Sequence, residues 1–265
     1  MSSKKDITLI FSSNPVNGAL NLTPNGDRYN TVLYNPISVP RSAKYCIMQV
    51  IQSNIWWVVP NLSPVLNNDV FVFFDGVSTQ TITIPLGLYD LGGIYSALQV
   101  ASDNIPAAHK FFDMFIFAGN QATQKVEITL LLPGLSINWA LSTVRVLMGF
   151  DASQVFTSTF SGQTIVGNNP AAFNSITSFF IHNNLVGDGI PTNAIASGVV
   201  ANVFVDVPPG SLINYAPYLP PIVHAPELIG AKITNIVHYL TDQNNNAVNT
   251  NGEFWSYTLQ ISYWD

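Results

Sequence analysis

Residues 45–58, Tyr-Cys-Ile-Met-Gln-Val-Ile-Gln-Ser-Asn-Ile-Trp-Trp-Val, form one long uncharged run rich in β-branched and aromatic side chains, and they read as a β-strand. No charged residue lies between Lys44 and Asp69. Adjacent strand residues face opposite sides of a sheet, so Trp56 and Trp57 cannot share one core. One of them must meet a loop, a partner or solvent on the other face. Two uses fit it: burial under the long loop running to Asn68, or contact with another subunit. Phe71, Phe73 and Phe74 pose the same question.

Outward from this strand the chain repeats the same kind of segment. Before it come Ile7–Phe11 and Thr31–Tyr34; after it come Val70–Phe74, Gln80–Ile84, Phe112–Phe117 and Lys125–Leu131. The later half adds Ile176–His182, Val199–Val205, Ala231–Leu240 and Phe254–Tyr263. Pro and Gly clusters separate them at short intervals, which is the pattern of an all-β sandwich or barrel. Val126, Ile128 and Leu130 alternate with Lys125, Glu127 and Thr129, as a half-buried strand requires. Ile236 breaks the alternation of Ile233 and Val237, so a bulge is expected there.

Two short connecting helices are expected. Asp90 caps Leu91, Ile94, Tyr95, Leu98 and Ala101 at helical spacing, with a stop at Pro106. Leu141–Met148 ends at Gly149 in a C′ position. The polar run Thr241–Asn246 suggests a turn closing an antiparallel hairpin between the last two strands. The segment Tyr215, Pro217, Tyr218, Pro220, Pro221 cannot be interior strand and reads as an extended loop or arm. No linker or repeat divides the chain, so one domain over residues 1–265 is expected, with Gly149 to Pro170 as the place where a seam could fall.

Composition bounds the function. Charged residues make up 9% of the chain, against roughly 25% in an ordinary soluble domain. A free monomer stays dispersed by a charged surface, whereas interface cores are poor in Lys and Glu and rich in aromatics. The chain therefore reads as a subunit covered by copies of itself. The net charge is −6 and Lys4-Lys5 is the only basic pair, which disfavours direct sequence-specific nucleic-acid binding. Cys46 stands alone, so there is no internal disulfide, and its place in an apolar alternation suits a buried small residue. Residues 1–13 carry an apolar run too short for a secretory signal, and no stretch reaches the length of a membrane span. Synthesis in a reducing, cytosol-like compartment is expected.

Titratable groups are sparse. Glu127, Glu227 and Glu253 lie far apart, and His109, His182, His224 and His238 have no metal-ligand spacing with Asp or Cys. Phosphate loop, nucleophile elbow and dinucleotide fingerprint are missing. No catalytic residue, cofactor or metal ligand is expected, and the chain does not read as an enzyme. Trp56, Trp57, Tyr215 and Tyr218 are the candidate subunit-interface residues. A carbohydrate groove with stacking aromatics is the competing use of the same side chains.

The order of segments adds a resemblance. Leu33-Tyr34-Asn35-Pro36, the long Tyr45–Asn54 strand, Thr81-Ile82-Thr83-Ile84-Pro85-Leu86-Gly87-Leu88-Tyr89 and Val146-Leu147-Met148-Gly149-Phe150-Asp151 follow one another. Then come Ile181-His182-Asn183-Asn184-Leu185, Val207-Pro208-Pro209-Gly210, Tyr239-Leu240-Thr241-Asp242-Gln243 and Asn249-Thr250-Asn251-Gly252-Glu253. This succession resembles the minor capsid (penton) proteins of virophages and of polinton-like and related double-stranded DNA viruses. The resemblance implies a single jelly-roll β-barrel or sandwich, forming homopentamers at the fivefold vertices of an icosahedral capsid. It implies a separate major capsid protein with two jelly rolls as partner, and residence in the virion after synthesis in host cytoplasm. It brings no catalytic residues.

Overall fold

The computed structural model describes residues 3–105, 108–153, 155–173, 176–187, 189–190 and 198–265. Along the chain lie β1 (Lys4–Ser12), β2 (Arg28–Ser38), β3 (Tyr45–Trp56), β4 (Val70–Phe74), β5 (Thr79–Thr83), α1 (Leu91–Ser102), α2 (Phe111–Met114), β6 (Phe115–Asn120) and β7 (Lys125–Leu130). There follow β8 (Ser136–Asn138), α3 (Arg145–Met148), β9 (Val155–Thr157), β10 (Gln163–Val166), β11 (Ser178–Asn183) and β12 (Val199–Phe204). The chain ends with β13 (Leu212–Tyr215), β14 (Val223–His224), β15 (Lys232–Asp242) and β16 (Ser256–Trp264).

These elements pack as two units. Met1–Val59 and Ile176–Asp265 make the first, and Pro60–Ser175 the second. The sequence marks neither junction with a linker, and so reads as one domain of residues 1–265. Its contacts nevertheless gather in two, because each set of strands closes an apolar core of its own. Gly149 and Pro170 both lie inside the second unit rather than at its boundary.

The first unit holds two antiparallel sheets, ordered β1-β16-β3-β13 and β12-β11-β15-β2, with β14 also pairing β3. Numbered along the chain without the short β14, its eight strands run 1-8-3-6 in one sheet and 5-4-7-2 in the other. First pairs with eighth, second with seventh, third with sixth and fourth with fifth. That is a long antiparallel hairpin rolled over a sandwich: a jelly roll, open rather than closed into a barrel. Phe11, Tyr29, Met48, Val50, Phe179, Ile236 and Leu259 are among the side chains filling the space between the sheets.

The long strand β3 behaves in a way its sequence does not reveal. Thr258 pairs with Gln52 and Leu259 with Val50, so Ile51 is an extra residue in the ladder. Cys46, Met48 and Val50 point inward before this bulge; Ser53, Ile55 and Trp57 are buried after it. One inserted residue thus switches the inward parity from even to odd numbers. The bulge expected near Ile236 is also present, where register shifts between Ile233 and Asn235 against β2.

The second unit, which interrupts the jelly roll between its third and fourth strands, carries the sheets β5-β4-β8-β9 and β10-β7-β6. Phe71, Phe73, Ile128, Leu130 and Ile165 from these strands pack with Ile94 and Leu98 of α1 and with Trp139. Asp90 caps α1 as expected, accepting the Gly93 N–H at 2.7 Å. Pro106, expected as its stop, falls outside the described residues.

Three expectations need correction. The helix over Leu141–Met148 shrinks to one turn, Arg145–Met148, because Ser142 is used elsewhere. Its hydroxyl accepts the Val72 N–H and donates to the Asn138 carbonyl, which holds that stretch as a turn beside β4. The strand expected from Phe112 starts only at Phe115, since Phe111–Met114 form a helical turn that sinks Phe111 and Met114 into the core. Finally, β15 and β16 are not a hairpin. The Asp242 carboxylate does organise a tight turn by accepting the Asn244 and Asn246 N–H groups. Beyond it, Thr250 N–H bonds to the Asn25 carbonyl and the chain passes to the other sheet.

Candidate assembly surface

The jelly-roll strands carry charge only near their ends. Lys4, Lys5 and Asp6 open β1, Arg28 opens β2, and Lys232 and Asp242 bound β15; β3, β11, β12, β13 and β16 contain no Asp, Glu, Lys or Arg. Several of these charges are also paired off: Lys4 with Asp6 at 3.0 Å and Lys5 with Asp265 at 2.6 Å. Alternation with the buried residues of β3 and β16 turns Gln49, Gln52, Asn54, Thr258 and Gln260 outward, giving that sheet a neutral polar outer face.

The four candidate residues separate clearly. Trp57 is 5% exposed, donates its backbone N–H to the Ser211 carbonyl and belongs to the core. It has no free surface to offer a partner. Trp56 is 38% exposed on the outer face, opposite Leu212 of β13. Tyr215 is half-buried against the core, and burial raises its phenol above the ordinary range. Tyr218 is 97% exposed. It sits on a seven-residue loop, residues 216–222, that bows out between β13 and β14 while both strands pair with β3. The Gln49 amide ties this loop down by donating to the Pro220 carbonyl at 3.0 Å. The Tyr/Pro segment is therefore a bulged sheet edge, fastened at both ends, rather than a free arm.

An aromatic group on the outer face escapes sequence reading. Tyr45, Trp264 and His224 meet there, with Tyr45 Oη 2.8 Å from His224 Nδ1 and the Tyr45 and Trp264 rings 5.2 Å apart. Only strand register brings these distant residues together; no local signal marks them.

The titratable groups serve structure. His238 lies between Phe11 and Tyr29, each ring 4.5 Å away, and its Nδ1 is 2.6 Å from Tyr257 Oη. Burial pushes its pKa down to about 3. His182 stacks on Tyr239 at 4.2 Å, bonds to Thr241 Oγ1 at 2.9 Å, and is pushed down by burial to about 4. Cys46 is buried, which pushes its thiol up to about 11. In the second unit, burial favours the neutral form of Asp75, but backbone N–H groups of Ser78, Ala108 and Val77 and the Gln80 amide outweigh it and hold the carboxyl at about 2. A cleft of about 530 Å³ there is lined by Asp90, Asn120, Lys125 and Phe173, among others. Lys125 is already bonded to the Asn168 carbonyl and Asn120 to Glu127. Among the described residues no group of three or more His, Cys, Asp or Glu could hold a metal ion, and no helix is long and apolar enough to cross a membrane.

No family model matches the chain, and no curated protein does. Among solved structures it is similar to the penton protein of mavirus, at 11% identity and a TM-score of 0.53, with 98% of this chain and 100% of that one covered. A structure of the Sputnik virophage is matched at 13% identity and a TM-score of 0.42, over 99% of this chain and 97% of that one. The chain thus shares the fold of the mavirus penton protein over nearly its whole length, at an identity too low to transfer the role of any single residue.

Proposed function

We propose that this chain is a penton, a minor capsid subunit that forms homopentamers at the fivefold vertices of an icosahedral virion. One observation carries the reading: a jelly roll whose strands are free of charge except near their ends, on a chain with the fold of a known penton protein. Such a surface suits a protein buried laterally among its copies. On this reading the subunit is made in host cytoplasm, sits in the virion shell beside a double-jelly-roll major capsid protein, and catalyses nothing. Native mass spectrometry of the purified chain at rising concentration tests it. A discrete five-copy species is expected; a chain that stays monomeric throughout overturns the proposal.

A further inference from the structure

The two sheets of the jelly roll end in four edges: β1 and the β13–β14 pair in one, β12 and β2 in the other. Three of these edges are guarded against strand addition. On β2, Leu20 already pairs with Asn30, and residues 33–36 bow out between the pairs of Val32 with Asn235 and Ile37 with Ile233. The β13–β14 edge is interrupted by residues 216–222, which include Pro217, Pro220 and Pro221. On β12, Val199, Val200, Ala201 and Val203 are buried. Bulges, prolines and cover are the ordinary means of denying a neighbour a ladder.

β1 has none of them. Its nine residues pair with β16 without a register shift, and it holds neither proline nor glycine. The flanking bonds fix which way its backbone points. Ser13 N–H donates to the Trp255 carbonyl and Asp265 N–H to the Ser3 carbonyl, so the odd-numbered residues bond to β16. The N–H and C=O groups of Asp6, Thr8 and Ile10 therefore point off the sheet, at a repeat of roughly 7 Å. Among the described residues no backbone group bonds them. All three residues are exposed, Ile10 at 79%, and Ile7 and Leu9 on the inner face are only half-buried.

We infer that the β1 edge takes up an extended segment of a different shell protein, which adds a strand beside Lys4–Ser12. Only another extended backbone matches a row of donors and acceptors at strand spacing. Its side chains alternate between the Ile10 face and the face of Ile7 and Leu9, which calls for uncharged, β-branched residues. A second copy of this chain does not supply such a strand. Its β2, β12 and β13–β14 edges are guarded, and β1 against β1 makes a twofold pair that joins two copies, not five. The inference rests on the capsid reading above for the source of the segment, and it names a contact outside the ring of copies.

Hydrogen exchange read at single amides, in the purified chain and in the assembled particle, tests this. In the purified chain the Asp6, Thr8 and Ile10 amides are expected to exchange fast and those of Ile7, Leu9 and Phe11 slowly. In the particle the first three are expected to slow by at least about tenfold. Fast exchange there overturns the inference. Protection already present in the purified chain gives the edge to a second copy and overturns it too. Thr8→Pro removes an N–H that bonds nothing within the chain, so wild-type near-ultraviolet circular dichroism and oligomer size are expected. The variant is expected to be lost from particles assembled with the other shell proteins; incorporation at the wild-type level overturns the inference and leaves the capsid reading intact. A wild-type chain absent from particles removes both.

Discussion

Mild acid is expected to destabilise this protein through two histidines. His238 is fully buried between Phe11 and Tyr29, and His182 is 3% exposed against Tyr239. Their folded pKa values lie at about 3 and about 4, below the ordinary value of 6.5. As pH falls below 6.5 the unfolded chain takes up protons on these imidazoles while the folded chain does not. Stability is therefore full above 6.5 and is lost on acidification. One pKa unit corresponds to about 1.4 kcal/mol, so each histidine costs about 2 kcal/mol between pH 7 and pH 5, and the pair about 4 kcal/mol. That is a large part of the 5–15 kcal/mol typical of a domain, here taken as roughly 10 kcal/mol. The Asp75 carboxyl, held at about 2, does not titrate in this window. Urea unfolding at pH 7 and pH 5 reads the effect. The midpoint should drop steeply in wild type and by about half as much in His238→Gln, whatever that variant's stability at pH 7. An equal midpoint at both pH values would refute the assignment.

Trp57→Ala should cost about 3–5 kcal/mol as a core truncation, while Trp56→Ala should cost about 1 kcal/mol or less; urea midpoints of the pair compare them directly. Asp75→Ala leaves the N–H groups of Val77, Ser78 and Ala108 without their acceptor and should destabilise by about 2 kcal/mol, measured by the same titration. Gly149 has φ 78°, and a Cβ there would meet the Asn169 carbonyl oxygen, so Gly149→Ala should lower the melting temperature by several degrees, about 1 kcal/mol or more. Deleting Ile51, the extra residue opposite Leu259 and Thr258, leaves Val50 and Gln52 as consecutive pairs and every other β3 side chain on its present face, so the variant should fold, read as a retained near-ultraviolet circular dichroism signal.

Local signals were legible in the sequence and long-range ones were not. The β3 run, the alternation of Val126, Ile128 and Leu130, the Asp90 cap and the Gly149 stop each rest on neighbours within a few residues. The Ile51 bulge depends on how β16 pairs with β3, so nothing local could choose between Trp56 and Trp57 for the core. The last two strands looked like a hairpin because a polar turn follows β15; rolling of the sheets, set by pairing with β11 and β1, separates them. The division at Pro60 and Ser175 has no compositional mark, because both units draw on the same uncharged, β-rich residues. Among the candidate surface residues, aromatic type and the neighbouring prolines pointed to Tyr218, whereas the Tyr45–Trp264 pair became visible only with register.

The most direct measurement is a reconstruction of the particle that contains this chain, resolved well enough to trace strands at the fivefold axes. The account predicts five copies of the jelly roll round each vertex, standing side to side. Vertices built from a different protein, with this chain absent or placed elsewhere, would contradict it.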